Sequence, residues 1–218
     1  MKNHIMCLSL ASVLCAAAPA AFAADIGGYA GISGGNSKAR DIASSAELDA
    51  QNAADGVTSI SSVDDTATAW KLFGGYKFNR NFALEGAYAN LGEFTADSVV
   101  TASPWGTGTV SQKYDARTWS LTAVGVLPLA NNFELFGKGG FHYWDARWDV
   151  DVNLTGLTGS ASEKENGTDL SYGLGGGYNF TSNIGVRAEW EMYTNIGDSN
   201  TTGESDLELW SVGVNFNF

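Results

Sequence analysis

The chain has 218 residues, with 12 Lys plus Arg against 24 Asp plus Glu and a formal charge of −12. That acidic balance argues against a nucleic-acid partner, because nucleic-acid-binding domains are usually basic. Beyond the amino-terminal leader no apolar run reaches the about 18 residues that a transmembrane helix needs. With 27 Gly, 7 Trp, 8 Tyr and 11 Phe against 3 Pro, the composition suits many short, aromatic strands.

Met1–Ala23 carries Lys2 in a short basic start, an apolar run from Ile5 to Ala18, and the small-residue close Ala21-Phe22-Ala23. This pattern predicts a secretory signal peptide over residues 1–23, cleaved after Ala23 or Ala24 and exported through the Sec pathway. Cys7 and Cys15 both lie inside it, preceded by Met6 and Leu14 rather than by the small residues of a lipoprotein signal. The expected mature chain therefore has no thiol for a disulfide, a metal site or a nucleophile. A single domain is predicted over residues 24–218.

The first strand, Ile26–Gly35, is glycine-rich on both faces; Gly28, Ala30 and Ile32 are set outward and Tyr29 inward. Residues 36–66 are small, polar and acidic, with Ser44–Ala53 the one weak helical candidate. The second strand, Thr68–Phe78, puts Trp70, Leu72, Gly74, Tyr76 and Phe78 on one face and Ala69, Lys71, Phe73, Gly75 and Lys77 on the other. A short return at Asn79–Asn81 leads to the third, Phe82–Leu91, with Phe82, Leu84, Gly86 and Tyr88 opposite Ala83, Glu85, Ala87 and Ala89. Gly92–Lys113 reads as a long connection with strand-like shoulders. The fourth strand, Tyr114–Leu127, sets Trp119, Leu121, Ala123, Gly125 and Leu127 against Ser120, Thr122, Val124 and Val126, and turns back at Pro128–Asn132.

The fifth strand, Phe133–Trp144, alternates Leu135, Gly137, Gly139, Phe141 and Tyr143 with Glu134, Phe136, Lys138, Gly140 and His142. Asp145–Thr168 reads as a third long, acidic loop. The sixth strand, Asp169–Phe180, ends in a short return at Thr181–Asn183. The seventh, Ile184–Tyr193, sets Ile184, Val186, Ala188, Trp190 and Met192 against Arg187, Glu189, Glu191 and Tyr193. After Thr194–Ser205, the last strand, Asp206–Phe218, places Trp210, Val212, Val214, Phe216 and Phe218 on one parity and Ser211, Gly213, Asn215 and Asn217 on the other.

Period-two alternation of apolar and polar residues marks a strand with two different faces. Eight such strands of about 10 residues, with short and long connections in turn, match a tilted bilayer-spanning barrel. The fold predicted is all-β: an eight-stranded antiparallel up-and-down transmembrane β-barrel with short periplasmic turns and long extracellular loops, in the bacterial outer membrane. Trp210, Val212, Val214, Phe216 and Phe218 are read as an outer-membrane assembly signal, with the barrel-assembly machinery as partner. Outer-membrane lipid and lipopolysaccharide are the other partners expected, and a monomeric state.

With the strands laid out, Phe73-Gly-Gly-Tyr76, Leu121-Thr-Ala123 with Pro128, Arg187-Ala-Glu-Trp190 and Thr194-Asn-Ile-Gly-Asp198 resemble the OmpA-like transmembrane domain family. The resemblance covers essentially the whole mature chain, and implies a small lumenal network of acids and bases. Glu85 and Arg187 match the positions of its acid and base, and Lys138 the site of a basic residue on the fifth strand. The family's lumenal Lys on the fourth strand corresponds to Val124 and its Glu on the sixth to Gly177. Both depart from what a gating exchange between alternative ion pairs, as the family suggests, would use. No counterpart of the family's periplasmic peptidoglycan-binding domain is read in the chain.

Parity points Lys71, Lys77, Glu85, Glu134, Lys138, Arg187, Glu189 and Glu191 inward, since an unpaired Lys or Arg facing lipid near the midplane costs roughly 2–4 kcal/mol. These eight form a candidate lumenal charge network, either a static salt-bridge core or a narrow ion path. An eight-stranded lumen is only wide enough for side chains, which argues against a wide pore. No catalytic residue is assigned. His142 resembles the histidine of a lipid A deacylase barrel, but Trp144 stands where that family has its serine. The loop carboxylates Asp149, Asp151, Glu163 and Glu165 lack the spacing of a calcium loop, and no metal or other cofactor is predicted. The leading functional reading is a structural, envelope-integrity barrel with at most low ion conductance. The alternative is an adhesin or host-interaction surface acting through the acidic loops.

Overall fold

The structure, a computed structural model, describes residues 26–40, 42–102, 104–198 and 203–218, so the expected leader lies outside the described residues. The elements in chain order are β1 (Gly27–Ala39), α1 (Ser45–Ala54), β2 (Thr58–Asp64), β3 (Thr66–Asn79), β4 (Phe82–Ala102), β5 (Gly106–Pro128), β6 (Phe133–Leu154), β7 (Leu157–Asn179), β8 (Ile184–Asp198) and β9 (Gly203–Asn217). All strand pairings are antiparallel, and eight strands follow one another round a closed ring: β1, β3, β4, β5, β6, β7, β8, β9. The seam joins the first and last strands described, with Ile32 opposite Val214 and Tyr29 opposite Asn217. One residue further, the Phe218 amide donates to the Gly28 carbonyl at 2.9 Å.

β2 stands outside the ring. It pairs with the far half of β4, Ser61 opposite Ser98, and runs on through Asp65 into β3. α1 forms where the one weak helical stretch was read, because its start is chemically closed. Glu47 Oε2 accepts from the Ser44 amide at 2.8 Å and Ser44 Oγ accepts from the Glu47 amide at 3.3 Å, a capping box. None of its residues is buried.

The strands outrun their predicted lengths. Gly92–Lys113 and Asp145–Thr168, expected as connections, are the outer halves of two continuous hairpins. β4 pairs with β5 as far as Ala102 opposite Gly106, and β6 with β7 as far as Leu154 opposite Leu157. β-Branched residues favour the extended backbone there, among them Thr95, Val99, Val100, Thr101 and Thr109 on the first hairpin. Alternation alone missed them because β4 changes parity on the way. Asn90 is opposite Arg117 and Glu93 opposite Asp115, so Leu91 and Gly92 together face Ala116. Gly92, at φ +86°, supplies the left-handed backbone of this bulge. Odd residues point inward up to Leu91; beyond it Phe94, Ser98 and Val100 do.

The outer wall is apolar. Leu72, Leu84, Leu121, Leu174 and Val212 lie exposed on it, between two aromatic belts. The extracellular belt contains Trp70, Tyr88 and Trp119, with ring centroids 5.4 and 4.8 Å apart, and Trp190 with Trp210. The periplasmic belt contains Tyr76 with Phe78, and Phe133, Tyr178 and Phe180. Such belts sit at the two membrane–water interfaces of an outer-membrane barrel. The candidate assembly residues Trp210, Val212, Val214, Phe216 and Phe218 all lie on this outer wall. Met192 shares the outward parity of Ala188 and Trp190 yet is buried.

Candidate functional site in the barrel lumen

Each strand of the ring sends every second side chain into the lumen, which makes three layers. At the periplasmic end Lys77 Nζ lies 3.4 Å from Glu134 Oε2, close to Asn215 and Asn217. At the other end Ala69, Ala89, Leu91, Phe94, Ala116, Trp144, Ile196, Leu207 and Leu209 form part of a buried apolar cluster. Between the two is a charged layer.

Three cations and three anions meet there. Lys71 Nζ is 2.7 Å from Glu189 Oε2 and also pairs with Glu191. Lys138 Nζ reaches Glu85 Oε1 at 3.2 Å, Glu189 Oε2 at 2.5 Å and Glu191 Oε1 at 2.7 Å. Arg187 Nη1 is 2.8 Å from Glu85 Oε2, and its Nε pairs with Glu189. Side-chain exposure runs from 0 % at Lys71 and Glu189 to 8 % at Arg187. A charge withdrawn from water to this degree is tolerable only when paired, and here every charge has at least two opposite neighbours.

Neutral side chains complete the shell. Tyr29 Oη donates to Glu85 Oε2 at 3.0 Å and Tyr193 Oη to Glu191 Oε1 at 3.2 Å. The Arg187 guanidinium lies over the rings of Phe73 and Phe136, 4.3 and 4.6 Å from their centroids, two cation–π contacts. The structure thus divides the eight predicted residues: Lys71, Glu85, Lys138, Arg187, Glu189 and Glu191 form one network, and Lys77 with Glu134 a separate pair nearer the periplasm. Tyr29, Phe73, Phe136 and Tyr193 were not singled out as site residues. Their signal was an aromatic on the inward parity, beside or one strand from a charge. Val124 and Gly177, where the resemblance implies a Lys and a Glu, add no charge. Lys71, Glu189 and Glu191 instead balance the layer.

His142 is buried between its neighbours. Its Nε2 donates to the Thr194 carbonyl at 3.1 Å, Thr118 Oγ1 lies 3.0 Å from Nδ1, and Tyr193 packs edge-on against the ring. None of these three contacts is a carboxylate or a serine nucleophile, the partners that a hydrolytic histidine uses. Among the described residues no three His, Cys, Asp or Glu side chains converge as metal ligands. The acidic stretch of β6 and β7 holds Asp149 opposite Ser162 and Asp151 opposite Ser160.

Glu208 is an acid on the outward parity of β9. Glu208 Oε1 accepts from the indoles of Trp190 and Trp210 at 2.8 and 2.6 Å, and its other oxygen lies 3.2 Å from Arg40 Nε. This carboxylate thus sits in the extracellular belt, where indole N–H groups and a guanidinium satisfy it.

A family model described as the OmpA-like transmembrane domain matches residues 23–218. Outer membrane protein A of Shigella flexneri is 32 % identical over 149 residues, 67 % of this chain and 39 % of the relative. The protein of the same name from Salmonella typhi is also 32 % identical over 149 residues, with the same shares covered. The chain therefore spans about two-fifths of the length of the curated relatives it matches. Among solved structures, Neisserial surface protein A has a TM-score of 0.54 at 15 % identity, covering 88 % of this chain and 97 % of its own. The outer membrane protein OprG from Pseudomonas aeruginosa has a TM-score of 0.52 at 15 % identity, covering 89 % of this chain and 97 % of its own. These two likenesses concern the fold alone. An apolar belted wall, a closed ring of eight strands and a family match across the whole described barrel leave one assignment: the chain is a bacterial outer-membrane protein and belongs to the OmpA-like transmembrane domain family.

Proposed function

We propose that the protein is a closed structural barrel of the outer membrane, contributing to envelope integrity and carrying its long hairpins into the extracellular space. The observation that carries this reading is the lumen: a neutral set of six interlocked charges capped by an apolar cluster, a sequence of layers hostile to a hydrated ion. Moving a charge past Leu91, Ile196, Leu207 and Leu209 would strip its water with nothing in exchange. On this reading the partners are bilayer lipid and lipopolysaccharide, the folding partner is the barrel-assembly machinery acting on the Trp210–Phe218 face, and the barrel is a monomer. Residues 1–23 serve as the Sec leader.

Planar-bilayer recording of the refolded chain tests the reading. The expected record has no stable open level of porin size, and any brief small current changes in Glu85→Ala and Arg187→Ala. A steady large conductance would overturn it. A second reading, an adhesive or host-interaction surface, draws on the β6–β7 hairpin, whose Leu157–Lys164 segment is exposed on both faces. Its test is cell binding by a barrel with trimmed hairpins: binding that survives removal of all of them rejects it.

A further inference from the structure

The outer wall is not evenly filled. Gly74 of β3 and Gly86 of β4 are opposite each other in register, both on the lipid-facing parity. A Cβ at Gly74 would meet only the Tyr29 carbonyl oxygen, 3.5 Å away; at Gly86 it would meet only the Ser120 and Gly74 carbonyl oxygens, at 3.8 and 4.0 Å. No side chain leans over either glycine. Leucines lean over two other glycines of the wall, Leu174 Cδ2 coming within 3.5 Å of a Cβ at Gly137 and Leu135 Cδ2 within 3.4 Å of one at Gly176; Gly125 and Gly139 are also bare, but the groove that Gly74 and Gly86 line does not include them.

The result is a shallow groove of about 460 Å³, with the two glycines on its floor and Leu72 at its side. Towards the extracellular side it is bounded by a continuous shelf of three rings, Trp70, Tyr88 and Trp119, tilted against one another by 57° and 53°. Its volume is comparable with that of one long saturated acyl chain. Its location fixes the medium: the groove lies on a wall that faces hydrocarbon, directly beneath the aromatic belt of the outer leaflet. A filled neighbour would leave the chain mobile against a smooth surface. Here a chain can settle against bare backbone and gain dispersion contacts on three sides.

We propose that this groove is a lipid site, holding one acyl chain of an outer-leaflet lipid against Gly74 and Gly86, with its headgroup end against the Trp70–Tyr88–Trp119 shelf. The test uses the full folded chain in nanodiscs containing a dipalmitoyl phospholipid, released for native mass spectrometry. The wild-type barrel is expected to retain one lipid per chain at collision energies that strip the others. Gly74→Leu and Gly86→Leu, which fill the floor from within, lose that lipid. Gly125→Leu, also on the outward parity but outside the groove, keeps it. Heat-modifiable gel mobility shows that each variant is folded. Should either leucine block folding, Gly86→Ala, which the 3.8 Å clearance admits, gives partial loss. Equal retention in wild type and in the groove variants overturns the proposal. So does a wild-type dimer without bound lipid that Gly86→Leu disperses, since the occupant is then a second copy of the chain.

Discussion

Leu170–Gly177 and Leu157–Lys164 belong to the same strand, β7, and both pair residue by residue with β6. In the first segment exposed Leu170, Tyr172 and Leu174 alternate with buried Ser171 and Gly173; in the second every residue is exposed. The backbone is the same and the surroundings are not. Within the membrane one side of the strand meets lipid and the other a packed lumen; above it both sides meet water. Alternation in a sequence therefore records a difference between two media, and a strand bathed in one medium carries no such record.

The largest expected consequence of this contrast is in the lumen. Glu189→Ala leaves Lys71, Lys138 and Arg187 short of a shared partner in a layer buried from solvent, and should cost roughly 3–5 kcal/mol. Urea unfolding of the refolded protein in bilayers measures it. Glu163→Ala, a carboxylate of the same sign on the water-bathed hairpin, should change stability by less than about 0.5 kcal/mol. Equal effects at the two sites would erase the distinction.

Next is the outer wall. Leu84→Arg or Ala188→Arg puts a charge into hydrocarbon and should cost roughly 2–4 kcal/mol, seen as failure to reach the heat-modifiable folded form. Arginine at Ala161, above the membrane, should fold normally. Normal folding of all three would reject the outward assignment.

Smaller again is the bulge that reconciles the two halves of β4. Gly92→Val adds a Cβ 2.6 Å from the Thr68 carbonyl oxygen at a positive φ. The left-handed backbone alone costs about 1–2 kcal/mol for a side chain. The expected outcome is loosened pairing beyond Glu93, read by hydrogen exchange, with residues 82–90 still protected. Uniform protection would show that the parity change does not depend on the glycine.

The smallest effect concerns α1. Hydrogen bonds from the Ser44 amide and hydroxyl hold the exposed Glu47 carboxyl below its ordinary value of 4.5. A lowered value means that the ionised carboxylate supports the fold, so the cap is complete above pH 4.5 and is lost as pH falls through the lowered value. Amide protection in α1 should fall with acid over that window while protection of β4 inside the membrane stays constant. An α1 indifferent to pH would remove the capping box from the account.

The legibility of the chain follows the same boundary. Leu84, Leu121 and Val212 declared themselves because their neighbours in sequence face the lumen. Leu207 and Leu209 are also apolar and on alternate positions, yet they point inward to the cluster that closes the barrel. An interior layer with no charge looks, in sequence, like part of the wall, and only the parity shared with Ser211 and Gly213 distinguishes it. Six of the eight inward charges turned out to share one network. Which charge pairs with which depends on the stagger between strands, and no single strand carries that information. The two hairpins were unreadable as strands for the reason β7 illustrates, compounded in β4 by the reversal at Gly92.

The account rests on opposite surroundings for adjacent residues in the membrane. Spin labels on single cysteines at Leu121 and Thr122 of refolded residues 24–218 measure this by their collision rates with oxygen and with a water-soluble nickel chelate. Label 121 should be open to oxygen and closed to nickel, label 122 closed to both, and labels at Ser160 and Ala161 on the hairpin open to nickel alike. A lipid-like response at 122, or equal responses at 121 and 122, would contradict a barrel with its oily side outward and its ion pairs sealed inside.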